Sequence, residues 1–463
     1  MNKTKQTILA ILATLLAGCS VNIPPPDLYS DPNAITDVGS ARSLLTSCYL
    51  LCPHYEFQLS LLGNDFCPTS LATKDANTLN FYRWQDKEIS SFATDAWLAY
   101  YNTIANCDVL DERLVNVATT TAEEEQAKKA ITAECRTLKA MCYFNLLRLY
   151  APAYTGNGEA DGIVLKQKVG IEMVARSSVA ECVAYIRSLL SEARASGVVS
   201  SSNGWLSATA ATYLLAELEL YCGNYSEAAT MADEIIGGCD DSQIGNYGRL
   251  WETSSNSSRI FAFNTSSTYY TDIEYDAQQG DYYALNPALM LDEGDTRKRY
   301  NEYTKEMGGQ ARTLFGKYNR LTKEGVSVAY IDMMRYAGAY FISAEAHARM
   351  GDSTMALTTI NHYLACVGAA EISGSDNLTE RILEAKYKEF AGEGSNYFDL
   401  KRTRTSPLPR LSTWGNSTSS SIAADDYRWT FPIPSSEYRY NEAVTQNDGW
   451  PITNMKIAED SGS

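Results

Sequence analysis

A chain of 463 residues with 45% hydrophobic and 21% charged residues carries enough apolar side chains for a large core, which excludes a mostly disordered polypeptide. Its formal charge of -17, with no long basic stripe, argues against nucleic acid as a partner, because phosphate backbones are held by clustered Lys and Arg.

In chain order, Lys3 and Lys5 precede an apolar run, Ile8 to Leu16, that ends in Ala17, Gly18 and Cys19. An apolar stretch of about ten residues is too short to cross a bilayer core and reads as a cleaved secretory signal. Leu16-Ala17-Gly18-Cys19 has the form of a bacterial lipobox, which implies cleavage before Cys19 and a lipid on that cysteine. The expected organisation is a signal over 1–18, a proline-bearing tether over 19–38, and a single domain over 39–463.

From Gly39 a helix is expected with Ala41, Leu44, Leu45, Cys48 and Leu51 on one side. From Leu61 to Glu88 periodicity is lost, and Gly63, Pro68, Asn77 and Asn80 mark a loop that exposes Phe81, Tyr82 and Trp84. Helical spacing returns at Trp97, Tyr101, Ile104 and Leu110. An unbroken apolar stripe then runs from Ala127 through Ile131, Cys135, Leu138, Cys142 and Leu146 to Leu149, until Pro152 stops it. Val179, Val183, Ile186, Leu190 and Ala193 define a partner helix that closes at Gly197.

Two later segments resemble each other. When the stretches from Leu214 and Phe341 are aligned, Ala216 falls on Ala344, Glu217 on Glu345, Gly223 on Gly351 and Ala228 on Ala356. Both read as helix, glycine turn, helix, an arrangement similar to the tetratricopeptide repeat, whose helix pairs bury a face that neither covers alone. Such pairs are placed at about 122–237 and 332–367, with a loop-rich region from 237 to 330 between them. The fold expected is therefore mainly α, a scaffold of helical pairs with long irregular insertions and minor β, one short strand being RIFAFN from Arg259.

Ten cysteines remain after Cys19, and their helical spacing favours buried free thiols over disulfides. His54, His347 and His362 do not share metal-ligand spacing on one helix, and the acids at Asp292, Glu293 and Asp295 lack EF-hand spacing. No catalytic group, cofactor or metal is assigned.

Four islands resemble the SusD/RagB-like outer-membrane lipoproteins of Bacteroidetes-type bacteria. They are LKAMCYFNLLRLYAPAY from Leu138, MRYAGAYFISAEAHARMGD from Met334, EFAGEGSNYFDLKR from Glu389, and FPIPSSEYRYNEAVTQNDGW from Phe431. The chain departs from the family pattern at Gly338, where an acid is common, and at Asn396, where arginine is usual. The resemblance implies a non-catalytic surface lipoprotein, anchored in the outer membrane through Cys19. It would capture an oligosaccharide, or in some relatives a peptide, as the lid of a SusC-like TonB-dependent transporter. It also implies structural ion pairs at Asp295 and Arg297 and at Asp399 and Arg402.

Sugar sites need flat aromatic faces and a few amides, hydroxyls or guanidinium groups. The polar-aromatic loops supply candidates in Asn80, Tyr82 and Trp84, and in Tyr269, Tyr270, Tyr275, Tyr282 and Tyr283, against the plainer reading that these rings anchor long loops. A glycoside hydrolase needs only two carboxylates across a cleft, but no spacing singles out a pair, and no Gly-x-Ser-x-Gly elbow or HExxH helix is present. A purely protein-binding scaffold would show polar-aromatic loops without a soluble ligand.

Overall fold

Asp37 accepts a hydrogen bond from the Ser40 amide while Ser40 Oγ accepts from the Asp37 amide, so helix α1 (Val38–Leu51) opens on a reciprocal cap. The computed structural model describes residues 35–452, apart from 167–168, 170–172, 201, 249, 252–255, 265–281, 308, 319–329 and 413–416. The expected signal, Cys19 and most of the expected tether fall outside them.

After α1 come two short helices, α2 (Glu56–Leu62) and α3 (Ala76–Tyr82), and two long ones, α4 (Asp86–Leu114) and α5 (Ala122–Tyr150). Thr121 caps α5, and Glu123, Glu124 and Glu125 in its first turn complement the positive end of the helix dipole. Next are α6 (Val179–Ala195), α7 (Ala208–Cys222), α8 (Tyr225–Gly237) and the single turn α9 (Asp241–Ile244). The second half carries α10 (Lys298–Asn301), α11 (Tyr336–Arg349), α12 (Ser353–Cys366), α13 (Leu378–Glu389), α14 (Ser395–Thr403) and α15 (Ser435–Tyr440).

The two aligned segments are the helix pairs α7–α8 and α11–α12. Gly223 (φ 79°) and Gly351 (φ 82°) make their turns, a left-handed backbone that glycine adopts without a Cβ penalty. α8 packs on α11, and α5–α6–α7 continue the stack, as the apolar stripes predict. Most apolar side chains join one large core, and Ala344, Ile360, Tyr363 and Ile382 belong to a second core around α11–α13. All ten described cysteines are free, and seven of them are buried.

The described part of the region from 237 to 330 holds more regular structure than its sequence indicates. The expected strand at Arg259 is present as β2 (Arg259–Asn264), paired antiparallel with β6 (Tyr330–Arg335). A four-stranded sheet, order β1-β3-β5-β4, joins β1 (Phe66–Pro68), β3 (Tyr283–Leu285), β4 (Glu302–Met307) and β5 (Gln310–Phe315). A hairpin of β7 (Leu408–Leu411) and β8 (Thr418–Ile422) completes the β structure among the described residues. These strands are too short for alternation to stand out.

The segment Leu61 to Glu88 requires the main correction. It contains the end of α2, β1, a 3-10 turn (Ser70–Lys74) and α3, and the rings expected to be exposed are buried, with Phe81 6%, Tyr82 1% and Trp84 0% accessible. Each helix has only seven residues, fewer than a periodic pattern needs, so packing rather than local sequence decides the outcome.

Candidate functional site

Two of the sequence islands, those from Met334 and Glu389, meet the Asp295–Arg297 segment inside the protein through a buried ionic frame. Arg297 makes the expected pair with Asp295 (Nε–Oδ1 2.9 Å) and also reaches Glu389 Oε2 at 2.7 Å. Arg335, which ends β6 and precedes α11, donates to Glu389 Oε1 (2.5 Å) and to Glu393 Oε1 (2.8 Å), and Lys317 donates to Glu393 Oε1 (2.7 Å). Burial alone would raise the Glu389 carboxyl, but Arg335, Arg297 and Lys317 outweigh it and hold it at about 2. A second cluster follows the same logic. Arg402 pairs with Asp399 as expected and makes a two-pronged contact with Glu345 at 2.6 Å on both oxygens. Desolvation of Glu345 is again overcome, chiefly by Arg402, and its carboxyl lies near 2.

The two departures from the family pattern have physical reasons. A Cβ on Gly338 would lie 1.8 Å from the Tyr213 hydroxyl, so that ring occupies the space of the usual acid. Asn396 Nδ2 donates to the Gly63 carbonyl, tying the fourteenth helix to the first loop. The terminal island closes α5. Phe431 N donates to Leu149 O (3.0 Å), Asn447 Nδ2 to Tyr150 O (2.8 Å), and Lys401 Nζ to the carbonyls of Arg148 and Ala151 (both 2.8 Å), which satisfies the helix end.

The two candidate ligand loops, some two hundred residues apart in sequence, converge at the β1–β3 pairing. Pro68 faces Tyr283, and Thr69 N donates to Tyr282 O at 2.7 Å. Beside this junction lies an open cleft of about 540 Å³. One wall carries Pro68, Tyr82, Arg83 and Gln85, and the other is the β7–β8 hairpin with Ser419, Ser420 and Ser421, closed by Arg428. Arg83, Gln85 and the three serines are exposed, so the cleft offers guanidinium, amide and hydroxyl groups to solvent.

Arg410 builds the floor of this region. It is fully buried and, among the described residues, has no carboxylate within ion-pair distance. Instead it donates to the carbonyls of Leu61 (2.6 Å), Leu62 (3.3 Å) and Tyr82 (2.8 Å) and to Asn64 Oδ1 (3.1 Å). Those carbonyls end α2 and α3, where the helix dipoles favour a cation. The guanidinium also covers the Tyr82 ring at 3.9 Å, and the Tyr82 hydroxyl accepts from Leu411 N at 3.0 Å. Trp84, at φ 57°, packs edge-on against Trp429 with centroids 4.6 Å apart. Tyr82 and Trp84 thus pin the loop and present no open ring face.

Among the remaining candidates, Asn80 is half-buried and donates to Glu88 at 3.4 Å, away from the cleft lining. Tyr283 is buried against Phe57, and Tyr282 is half-buried at the junction. Tyr269, Tyr270 and Tyr275 lie outside the described residues. Sequence reasoning missed Arg83, Gln85, the serines of β8 and Arg410. The only local signal was their position in polar stretches flanked by aromatics.

A stack of helical pairs with short sheets, internal ion pairs joining its motifs, and an open cleft between the first loop and a hairpin define a mainly α scaffold; no described helix is long and apolar enough to cross a membrane. The family model described as "SusD family" matches residues 241–450, and one described as "Starch-binding associating with outer membrane" matches residues 33–204. The chain belongs to the SusD family.

Among solved structures it is similar to a SusD superfamily protein from Bacteroides vulgatus (19% identity, 90% of this chain and 100% of that one, TM-score 0.76). A SusD-like carbohydrate binding protein from the same organism gives 17% identity, 89% and 98% coverage, and TM-score 0.71. A SusD superfamily protein from Bacteroides thetaiotaomicron gives 19%, 89% and 100%, and 0.70. Among curated proteins, none matches the chain by sequence.

Proposed function

We propose that this protein captures an oligosaccharide at the outer membrane, held there by a lipid on Cys19, and passes it uncut to a SusC-like TonB-dependent transporter on which it rests as a lid. The observation that carries the binding step is the exposed cleft in which Arg83, Gln85 and Ser419 to Ser421 meet beside the β1–β3 junction. Sugar hydroxyls are bound by such groups, and the preformed walls keep the ordering cost low. Tyr282, which ends the tyrosine-rich stretch that begins at Tyr269 in the sequence, stands next to the cleft, and this supports assigning the aromatic faces of the site to Tyr269, Tyr270, Tyr275 and Tyr282. The family descriptions, starch-binding and outer-membrane association, support the ligand class and the location.

Residues 20–463 titrated against glycan and peptide panels test this reading. Saturable binding of a glycan recovered intact is expected. Peptide binding alone would move the protein to the peptide-capturing alternative, and new reducing ends would make it a hydrolase. Co-purification of the native lipoprotein with an outer-membrane barrel checks the transporter step.

A further inference from the structure

We infer that Asp241, His362 and Cys366 form a surface site for one divalent transition-metal ion of zinc's class, sharing no residue with the proposed glycan cleft. His362 and Cys366 stand four apart on α12, so both side chains leave the same face of the helix, one turn apart. Asp241, on the turn α9, meets that face from a second element. One ligand atom from each residue, an imidazole nitrogen, a sulfur and a carboxylate oxygen, lies within 4.8 Å of the other two. A tetrahedral zinc ion bound at about 2.0–2.3 Å sets its ligand atoms roughly 3.5 Å apart, so small side-chain rotations close the set.

The elements that carry the ligands are fixed. Ile244 of α9 and Tyr363 of α12 are buried in the same small core. Asp240 caps α9 by accepting from the Gln243 amide at 3.1 Å. The His362 ring stacks on Tyr340 with an interplanar angle of 15° and centroids 5.8 Å apart, and its Nε2 already lies 2.8 Å from Asp241 Oδ1. The His362 ring is thus held in place before an ion binds.

The donor set selects the class of metal. Calcium and magnesium take oxygen ligands almost exclusively, whereas nitrogen, sulfur and oxygen together suit zinc and its neighbours. Three protein ligands leave a fourth position for water, and the Asp241 and His362 side chains, 72% and 46% exposed, leave the site open to ions in solution. His347 supplies the contrast. Asp233 approaches its Nε2 at 3.3 Å and Asp352 its Nδ1 at 3.8 Å, so the two carboxylates face opposite ring nitrogens and cannot converge on one ion.

The test is a zinc titration of the purified, reduced protein in competition with a chromophoric chelator, paired with cobalt(II) spectra and thermal melts. One zinc per chain is expected, with a rise in Tm and a thiolate-to-cobalt charge-transfer band. His362→Ala and Cys366→Ser should each weaken zinc by more than about tenfold and abolish the Tm rise, and Cys366→Ser should also remove the cobalt band. His347→Ala should bind as the parent does. No stoichiometric zinc binding, or binding unchanged in both ligand variants, would overturn the assignment. So would equal loss in His347→Ala, which marks non-specific binding.

Discussion

Arg335 and Arg83 carry the same guanidinium but sit in opposite settings. Arg335 has 3% of its side chain accessible and is shared between two buried carboxylates, while Arg83 stands in solvent at the rim of a serine-lined cleft. The ionic frame consumes every hydrogen-bonding group it can and joins motifs scattered over a hundred residues; the cleft leaves such groups open. In this fold the family motifs therefore report architecture, and the proposed ligand surface is built from less regular residues between them.

Removing one partner from the frame should produce the largest effect. Glu389→Gln leaves Arg297 and Arg335 short of a charge in the interior and should cost about 3–5 kcal/mol, read by chemical denaturation or as loss of soluble protein. Next is the floor beneath the cleft. Arg410→Met strips buried carbonyls of their donor at about 1–3 kcal/mol for each group left unsatisfied, and Arg410→Lys should not restore stability because one ammonium cannot serve that spread of acceptors.

Gly338→Ala should cost about 1–3 kcal/mol by overpacking against Tyr213, and in a Tyr213→Phe background part of that cost should disappear. A pH series sharpens the same contrast. The Glu389 and Glu345 carboxyls fall from an ordinary value of 4.5 to about 2 on folding, so the stability they contribute is complete above pH 4.5 and is lost as pH falls toward 2. Melts between those limits should show this acid limb, and it should be shallower in Glu389→Gln. Cleft changes should be nearly silent in the same assays, with Arg83→Ala within about 0.5 kcal/mol of the parent.

The helical scaffold was legible because its stripes are long. α5 runs for 29 residues and its capping Thr121, acidic first turn and terminal Pro152 all agree with its apolar period. The ion pairs of Asp295 with Arg297 and Asp399 with Arg402 were legible from the motifs that hold them. The cleft was not. Tyr82 and Trp84 look like surface rings in a polar stretch, and their burial depends on Arg410 and Trp429, more than three hundred residues away in sequence. Likewise the β7–β8 serines acquire meaning only when the hairpin lies across from Arg83 and Gln85.

The most direct test of the proposed capture surface is calorimetric titration of the glycan found in the panel screen into Arg83→Ala and Ser420→Trp proteins, beside the parent. Loss of more than about tenfold in affinity, with Tm unchanged, is the predicted result, since one variant removes a donor and the other fills the cleft. Parent-like affinity in both folded variants would contradict it and place the ligand elsewhere on the scaffold.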